Sequence, residues 1–309
     1  MTRPESAEKN DAGARRHGDA EKKNVGYSIA VSPRRLSIIA TADNTLEGMN
    51  VLQGLVTAFR TLTIFPVPGQ DAPKHSGSLP FFPLVGLALG FLLWAISLID
   101  RVISGGDWPM GVAGIMLLAS VISTRSLHLD GLADLADAVG GGWDRARRLE
   151  IMKDSRLGVF GAVAIIITLL CKWVAFTRLV AVGSTIWVVL IFMVSRAMQV
   201  NLAVRLDYAR SEGGTAASFV RQASGYHRAA AFAITLVAAL VFGILGLVAL
   251  TVAELITWLY GGWCRKNIGG ITGDLLGAGN EIVETVLLLL AAAPGSLLLG
   301  YTGWSWVFH

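Results

Sequence analysis

Long apolar stretches separated by short polar loops dominate the chain. Ahead of them, residues 52–64 mix Leu, Val, Phe and Ile with Gln53 and Arg60, which predicts an amphipathic helix at a membrane interface. Uniformly apolar segments long enough to cross about 30 Å of hydrocarbon follow. The predicted spans are residues 81–99, 110–124, 158–176, 186–204, 229–263 and 282–301. The pattern predicts an all-α, polytopic membrane helix bundle.

The number of spans depends on residues 229–263. This segment is interrupted only by Glu254 and can form two short spans of about 17 residues each, turning near Gly243–Gly246. The bundle therefore has six or seven transmembrane helices.

Basic residues are concentrated in three polar loops, and Lys and Arg favour the cytoplasmic side of a bacterial membrane. Seven spans place all three loops on one face, whereas six place the third loop on the opposite face. We expect a multi-pass protein of the bacterial cytoplasmic (inner) membrane with its functional loops in the cytoplasm. The three loops are residues 125–156, 205–228 and 265–281.

Composition supports a lipid environment. Hydrophobic residues make up 53% of the chain and charged residues 16%, against about 25% charged in an average soluble domain. No basic run interleaved with aromatic residues predicts nucleic-acid binding. Cys171 and Cys264 lack the spacing of a disulfide framework or zinc site. Polar residues 1–47 predict a disordered extension without a signal peptide, and residues 48–309 predict the membrane-embedded domain.

The most specific candidate site begins at LHLDGLADLADA, residues 127–138. Asp130, Asp134 and Asp137 follow an i, i+4, i+7 spacing, which places three carboxylates on one stripe of a helix. Their repulsion at the end of an apolar segment is relieved by a divalent cation, and Mg²⁺ prefers carboxylates together with phosphate oxygens. Gly131 allows close approach of backbone or ligand, and glycines 140–142 are expected to end the helix.

The loop that follows supplies positive charge next to this acidic stripe. Lys153 and Arg156, with Asp154 and Ser155 between them, fit the needs of a diphosphate whose charge must be neutralised as the anhydride breaks. A solvated mixed-charge loop is the alternative. His128, within the acidic segment, is a candidate general base or ligand, although a structural histidine explains it equally well.

A second acidic group lies in GGITGDLLGAGNEIVETV, residues 269–286. Asp274 and Glu281 share a face if a helix starts near Thr272, and Glu284 follows. Carboxylates that enter a span are functional candidates, although they can also mark the membrane boundary. Arg196 lies within an apolar span, so it is expected to face the bundle interior and pair with an acid or a phosphate.

Five segments, in order, resemble the signatures of the cobalamin synthase (adenosylcobinamide-GDP ribazoletransferase) family. The HLDGLAD and EIMKDSR segments are the most specific, and the resemblance extends from about residue 50 to 290. Gly279 stands where a bulkier residue is expected. The segments are LTIFPVP (62–68), FFPLVGLALG (81–90), LHLDGLADLADA (127–138), EIMKDSRLGVFG (150–161) and ITGDLLGAGNE (271–281).

This resemblance implies a reaction and a lipid-embedded enzyme. A ribose hydroxyl of α-ribazole, or of its 5′-phosphate, attacks the corrinoid-linked phosphorus of adenosylcobinamide-GDP, and GMP leaves. The expected Mg²⁺ ligands are Asp130, Asp134, Asp137 and Glu281. Substrate phosphates are expected near Arg156, Ser155, Gly131 and Arg196. Catalytic candidates are Lys153, His128, Asp154 and Asp274, of which either Asp could take the attacking proton.

Two other classes of protein are alternatives. A CDP-alcohol phosphotransferase also uses an Asp-Gly and Asp set, but here Leu132 and Ala133 follow Gly131 without the Arg that its pattern requires. A cation or metabolite transporter predicts acids near mid-span and an internal repeat, whereas these acids lie at span ends. The sequence leaves open homo-oligomers and contacts with enzymes of the same pathway.

Overall fold

Helices form nearly all the regular structure in the part of the chain that the computed structural model describes, residues 50–99, 102 and 105–304. No strand occurs among these residues, which confirms the all-α prediction. The predicted disordered extension, residues 1–47, lies outside them. The described α-helices are α1 (Val51–Leu62), α2 (Phe82–Ser97), α3 (Pro109–Ser123), α4 (Leu127–Gly141), α5 (Arg145–Ile151), α6 (Val159–Ala181), α7 (Trp187–Arg205), α8 (Ala217–Arg221), α9 (Gly225–Val241), α10 (Ile244–Asn267), α11 (Gly273–Ala292) and α12 (Leu297–Gly300).

Helix α1 confirms the predicted amphipathic helix ahead of the spans. The Asn50 side chain caps its start by accepting a hydrogen bond from the Leu52 amide at 3.2 Å. Arg60 then binds Asp71 at 3.0 Å, which ties the end of the helix to the loop that follows. One face of α1 is buried against the bundle and the other is exposed.

Five described helices are long and apolar enough to cross a membrane, and α3 with α4 makes a sixth if this bent pair is one span. The first of them is continuous with a 3₁₀ segment and runs over His75–Ser97. Helix α9, at 17 residues, lies at the short end of the spanning range. By length and composition, the described helices therefore supply five or six membrane spans before α9 is counted.

Helix α7 is the centre of the bundle, because nearly all of its residues are buried. Helix α2 packs on it through Gly86 and Gly90, where the two backbones come very close. A Cβ atom added at Gly86 would lie 2.2 Å from the carbonyl oxygen of Phe192. Small residues four apart allow such close packing of membrane helices. Helices α6 and α10 lie at the periphery and expose apolar side chains suited to lipid.

The apolar segment 229–263 divides into two helices, as the seven-span interpretation predicted. Helix α9 ends at Val241, and Gly243 adopts a φ of 78° before α10 begins at Ile244. Glycine reaches this conformation without the steric cost of a Cβ atom. The turn lies where the sequence places it.

The last predicted span, residues 282–301, is wrong in its limits. Helix α11 begins at Gly273 and ends at Ala292. Thr272 caps its start by accepting a hydrogen bond from the Leu275 amide at 3.3 Å. Asp274, Asn280 and Glu281 therefore belong to the same helix as the apolar residues after them. The acidic residues of this segment are therefore carried into the bundle.

Candidate active site

Helix α4 carries the first acidic group and enters the bundle through a sharp bend. The axes of α3 and α4 differ by 85° across a break of a few residues. Arg125 and Ser126 adopt positive φ values of 53° and 57°, a left-handed conformation that is costly for residues other than glycine. The bend turns the acidic helix across the ends of its neighbours. Helix α4 ends at Gly141, within the predicted glycine run.

Helix α11 crosses α4 at Gly131, and this contact brings the two acidic segments together. A Cβ atom added at Gly131 would lie 2.3 Å from the carbonyl oxygen of Asp274, so only glycine fits the observed backbone separation. At the next contact, a Cβ atom at Gly277 would lie 3.1 Å from the Cα atom of His128. The prediction that Gly131 allows close approach is confirmed, and its partner is protein backbone.

Three carboxylates gather at this crossing. Asp274 accepts a hydrogen bond from Arg210 at 2.8 Å. The negative charges of Asp274 and Asp130 both repel the negative charge of Asp134. Asp130 is exposed, and Asp134 and Asp274 are partly buried. The result is a negative centre that Arg210 only partly neutralises.

Asp137 has a different role from the other two aspartates of α4. One of its carboxylate oxygens accepts a hydrogen bond from the Gly158 amide at 2.8 Å, and the other accepts one from the Gly161 amide at 2.9 Å. Asp137 therefore satisfies free amides at the start of α6, where a negative charge is also favoured by the helix dipole. These two hydrogen bonds tie α4 to α6, and the expectation that Asp137 is a metal ligand stays a prediction.

Asp130, Asp134 and Asp274 have the chemistry of a magnesium site in which substrate and water would supply the other ligands. Among the described residues, no three His, Cys, Asp or Glu side chains are already grouped as a metal site. Mg²⁺ commonly uses only one or two protein carboxylates together with substrate phosphates and water. Asp130 and Asp134, next to Asp274, supply oxygen ligands of that kind.

The basic loop after α4 adjoins this acidic centre through Arg210. The same guanidinium that binds Asp274 donates to the carbonyl oxygen of Met152 at 3.1 Å. Lys153 binds Glu212 at 2.7 Å, and both side chains are exposed. Lys153 thus follows Met152, whose carbonyl oxygen contacts Arg210, and its ion pair with Glu212 lies at the surface.

Arg156 and Asp154 bind each other on the surface, with Ser155 exposed between them. The Arg156 hydrogen bonds lower the pKa of Asp154 to about 2. A carboxylate with so low a pKa is a weak proton acceptor, so this conformation does not favour Asp154 as the general base. Arg156 remains a surface cation beside the loop.

Glu281 and Arg196 belong to a buried ion cluster made by α6, α7 and α11. Lys172 donates to Glu281 and to Glu284, each at 2.6 Å, and Arg196 binds Glu284. All four side chains are at most 6% exposed. The expectation that Arg196 faces the interior and pairs with an acid is confirmed. Both charges are already neutralised inside the bundle, and the expectations that Arg196 binds a substrate phosphate and Glu281 binds the metal stay predictions.

His128 lies between the acidic centre and this cluster. It is 2% exposed, and neither ring nitrogen has a hydrogen-bond partner. It lines a cavity of about 260 Å³ together with Asp130, Asp274 and Gln199. The structure therefore joins three candidates, Asp130, Asp274 and His128, around one cavity.

Two residues of these groups were not singled out from the sequence. Arg210 was one of several loop arginines, and nothing local distinguishes it from its neighbours. Lys172 could have been found, because a lysine within an apolar span is itself a signal of a buried partner or a function.

The fold and site define a polytopic membrane protein with carboxylates and cations gathered at one end of its bundle. The chain belongs to the cobalamin-5-phosphate synthase family, whose model matches residues 54–292. This confirms the resemblance found in the sequence.

Several similar proteins carry the name adenosylcobinamide-GDP ribazoletransferase. The protein of that name from Chlorobaculum parvum is 43% identical, over 78% of this chain and 96% of its own. The protein from Chlorobium phaeovibrioides is 44% identical, over 78% of this chain and 97% of its own. The protein from Syntrophobacter fumaroxidans is 45% identical, over 77% of this chain and 96% of its own. No solved structure matches the chain.

Proposed function

We propose that this protein transfers the adenosylcobinamide-phosphate group of adenosylcobinamide-GDP to α-ribazole, or to its 5′-phosphate, with Mg²⁺ as cofactor. The names of its relatives give the donor and the acceptor. The observation that carries the proposal is the contact of Gly131 with Asp274, since it unites the two acidic segments beside a cavity. The products are adenosylcobalamin, or its 5′-phosphate, and GMP.

Asp130 and Asp134 are the residues that would hold the metal. The chemistry supplied by Mg²⁺ held there would be neutralisation of the negative charge that develops on the phosphate oxygens as GMP leaves. Lys153 and Arg156, on the adjoining loop, would bind the phosphate oxygens that remain. Positive side chains at these oxygens favour the transition state, where their negative charge increases.

Asp274 is the proposed proton acceptor. It lines the cavity, and Arg210 fixes its position through a hydrogen bond at 2.8 Å. The ribose hydroxyl transfers its proton to Asp274 as its oxygen forms a bond to the corrinoid-linked phosphorus. The bond from that phosphorus to the bridging anhydride oxygen breaks, and that oxygen leaves with GMP.

The proposed location is the cytoplasmic membrane of a bacterium, with the site on the cytoplasmic side. The three basic loops contact one another, which requires them to lie at the same end of the bundle. Arg145 donates to the carbonyl oxygen of Ala209, and the Ile271 amide donates to that of Asp207. Positive loops favour the cytoplasmic side of such a membrane.

The test uses the full chain in lipid nanodiscs with adenosylcobinamide-GDP and α-ribazole, following GMP and adenosylcobalamin by chromatography. We expect turnover that stops on chelation, returns with Mg²⁺, and falls at least 100-fold in Asp134→Asn. The matched control is Asp107→Asn, because Asp107 is exposed ahead of α3, about 22 Å of helix from the bend. Full activity in chelator, or in Asp130→Asn and Asp134→Asn alike, would refute the metal assignment.

A further inference from the structure

The cavity beside Asp274 has apolar walls and one buried polar end. Its volume is about 260 Å³, and its walls include Leu79, Phe82, Phe219 and Leu276. The rings of Phe82 and Phe219 have centroids 6.2 Å apart and planes at 54° to each other. The two phenyl rings form an aromatic part of the cavity wall, and a flat aromatic molecule can pack against it.

The polar end is formed by His128 and Gln199. They are 2% and 3% exposed, yet both ring nitrogens of His128 and the side-chain oxygen of Gln199 have no hydrogen-bond partner. The Gln199 amide nitrogen makes one long hydrogen bond, at 3.4 Å, to the carbonyl oxygen of Leu276. Buried polar groups are normally paired, so unpaired groups on two residues that line a cavity are the positions that a ligand or a water would complete.

The lining of the cavity also includes two acids. Asp130 is exposed and Asp274 is partly exposed, so the cavity opens towards the residues assigned to the phosphate chemistry. A molecule held here would have an aromatic part against the phenyl rings, a hydrogen-bonding edge towards His128 and Gln199, and a polar part near Asp274.

The size and polarity of the cavity indicate which part of the two substrates it can hold. Pockets for drug-sized ligands start at about 300 Å³, so a corrin ring does not fit and must lie outside the cavity. Guanine has donors and acceptors along several edges, and most of them would face apolar wall without a partner, which disfavours its binding. The dimethylbenzimidazole of α-ribazole is apolar apart from one unsubstituted ring nitrogen.

We propose that this cavity is the binding site for the aromatic base of the nucleoside acceptor, with Phe82 and Phe219 against the ring and His128 and Gln199 at its nitrogen. The inference rests on the proposed function for the identity of the acceptor. It places the ribose at the open side, where its hydroxyl meets Asp274. It also makes Phe219 and Gln199 residues that determine which base is accepted.

The experiment measures binding and turnover separately, on the full chain in nanodiscs. Calorimetry with α-ribazole, with free dimethylbenzimidazole and with GMP is run without the corrinoid substrate on the parent protein, Phe219→Ala and Gln199→Leu. The matched control is Phe91→Ala, since Phe91 is 46% exposed on the lipid side of α2 and outside this cavity. Gel filtration and circular dichroism establish that each variant is folded.

We expect α-ribazole and the free base to bind the parent protein. Because stacking of a base on an aromatic side chain contributes about 1–3 kcal/mol, Phe219→Ala should raise the Kd for α-ribazole by roughly 5- to 150-fold, with no change in Phe91→Ala. In steady-state assays the KM for α-ribazole should rise while that for adenosylcobinamide-GDP stays constant.

An unchanged Kd for α-ribazole in both folded variants would overturn the inference, as would a loss of GMP binding in its place. If the parent protein turns over and the variants bind the nucleoside unchanged, the proposed function stands and only the assignment of this cavity is refuted. Specific nucleoside binding that Phe219→Ala weakens, without any GMP formation, would support the site and refute the proposed reaction.

Discussion

The buried ion cluster of Lys172, Glu281, Glu284 and Arg196 offers a prediction about stability. It contains two positive and two negative side chains, so it is neutral as a whole. Lys172 is the shared member, because its amine lies 2.6 Å from both glutamates. Lys172→Met keeps a similar length and apolar stem but leaves Glu281 without its cation.

Removing one partner of a buried ion pair costs about 3–5 kcal/mol, because the other charge stays buried without compensation. Glu284 keeps Arg196 in this variant, so we assign the loss to Glu281 and expect about 3 kcal/mol. In Lys172→Met/Glu281→Met the cluster is neutral again. We expect the double variant to be less destabilised than the sum of the single variants by about 0.5–3 kcal/mol.

The assay is reversible unfolding in mixed micelles by added denaturing detergent, followed by circular dichroism. Lys266→Met is the matched control, since Lys266 is exposed near the end of α10 and its loss should change the free energy of unfolding by less than about 0.5 kcal/mol. Additive effects of the two single substitutions, or a loss in Lys172→Met no larger than in the control, would refute this account of the cluster.

Three further substitutions test the site. Gly131→Ala should abolish most activity and destabilise the fold by about 1–3 kcal/mol, because the new methyl group meets the Asp274 carbonyl oxygen at 2.3 Å. Gly262→Ala is its control, since Gly262 has open space around it, and equal melting temperatures and rates for the two variants would contradict the close contact. Asp137→Ala should lower the free energy of unfolding by about 1–2 kcal/mol through loss of its bonds to two α6 amides, and wild-type stability in detergent unfolding would exclude that role. Arg210→Met should reduce kcat at least tenfold by freeing Asp274, with Arg205→Met as the control arginine; an unchanged kcat would show that Arg210 does not position Asp274.

Much of the fold follows from the sequence because a bilayer imposes one rule on every span. Each spanning segment must be apolar and must satisfy its own backbone hydrogen bonds, so apolar length alone predicts helices near the observed α2, α3, α6 and α7. The turn at Gly243 could also be located, since glycine marks a break in an otherwise apolar run. The predicted limits of α11 were wrong, because its first two turns hold three glycines together with Asp274 and Asn280 and therefore resemble a loop.

The candidate site divides in the same way. The spacing of Asp130, Asp134 and Asp137 determines a shared helical stripe, and the sequence alone shows that these residues are available for chemistry. Their separate roles were decided by neighbours distant in sequence: the amides of α6 occupy Asp137, while the crossing at Gly131 places Asp274 beside the other two. Likewise, only packing decided that Glu281 and Arg196 are neutralised inside the bundle. Local periodicity gives the face on which a side chain lies, but the partner that fixes its charge and its function comes from another helix.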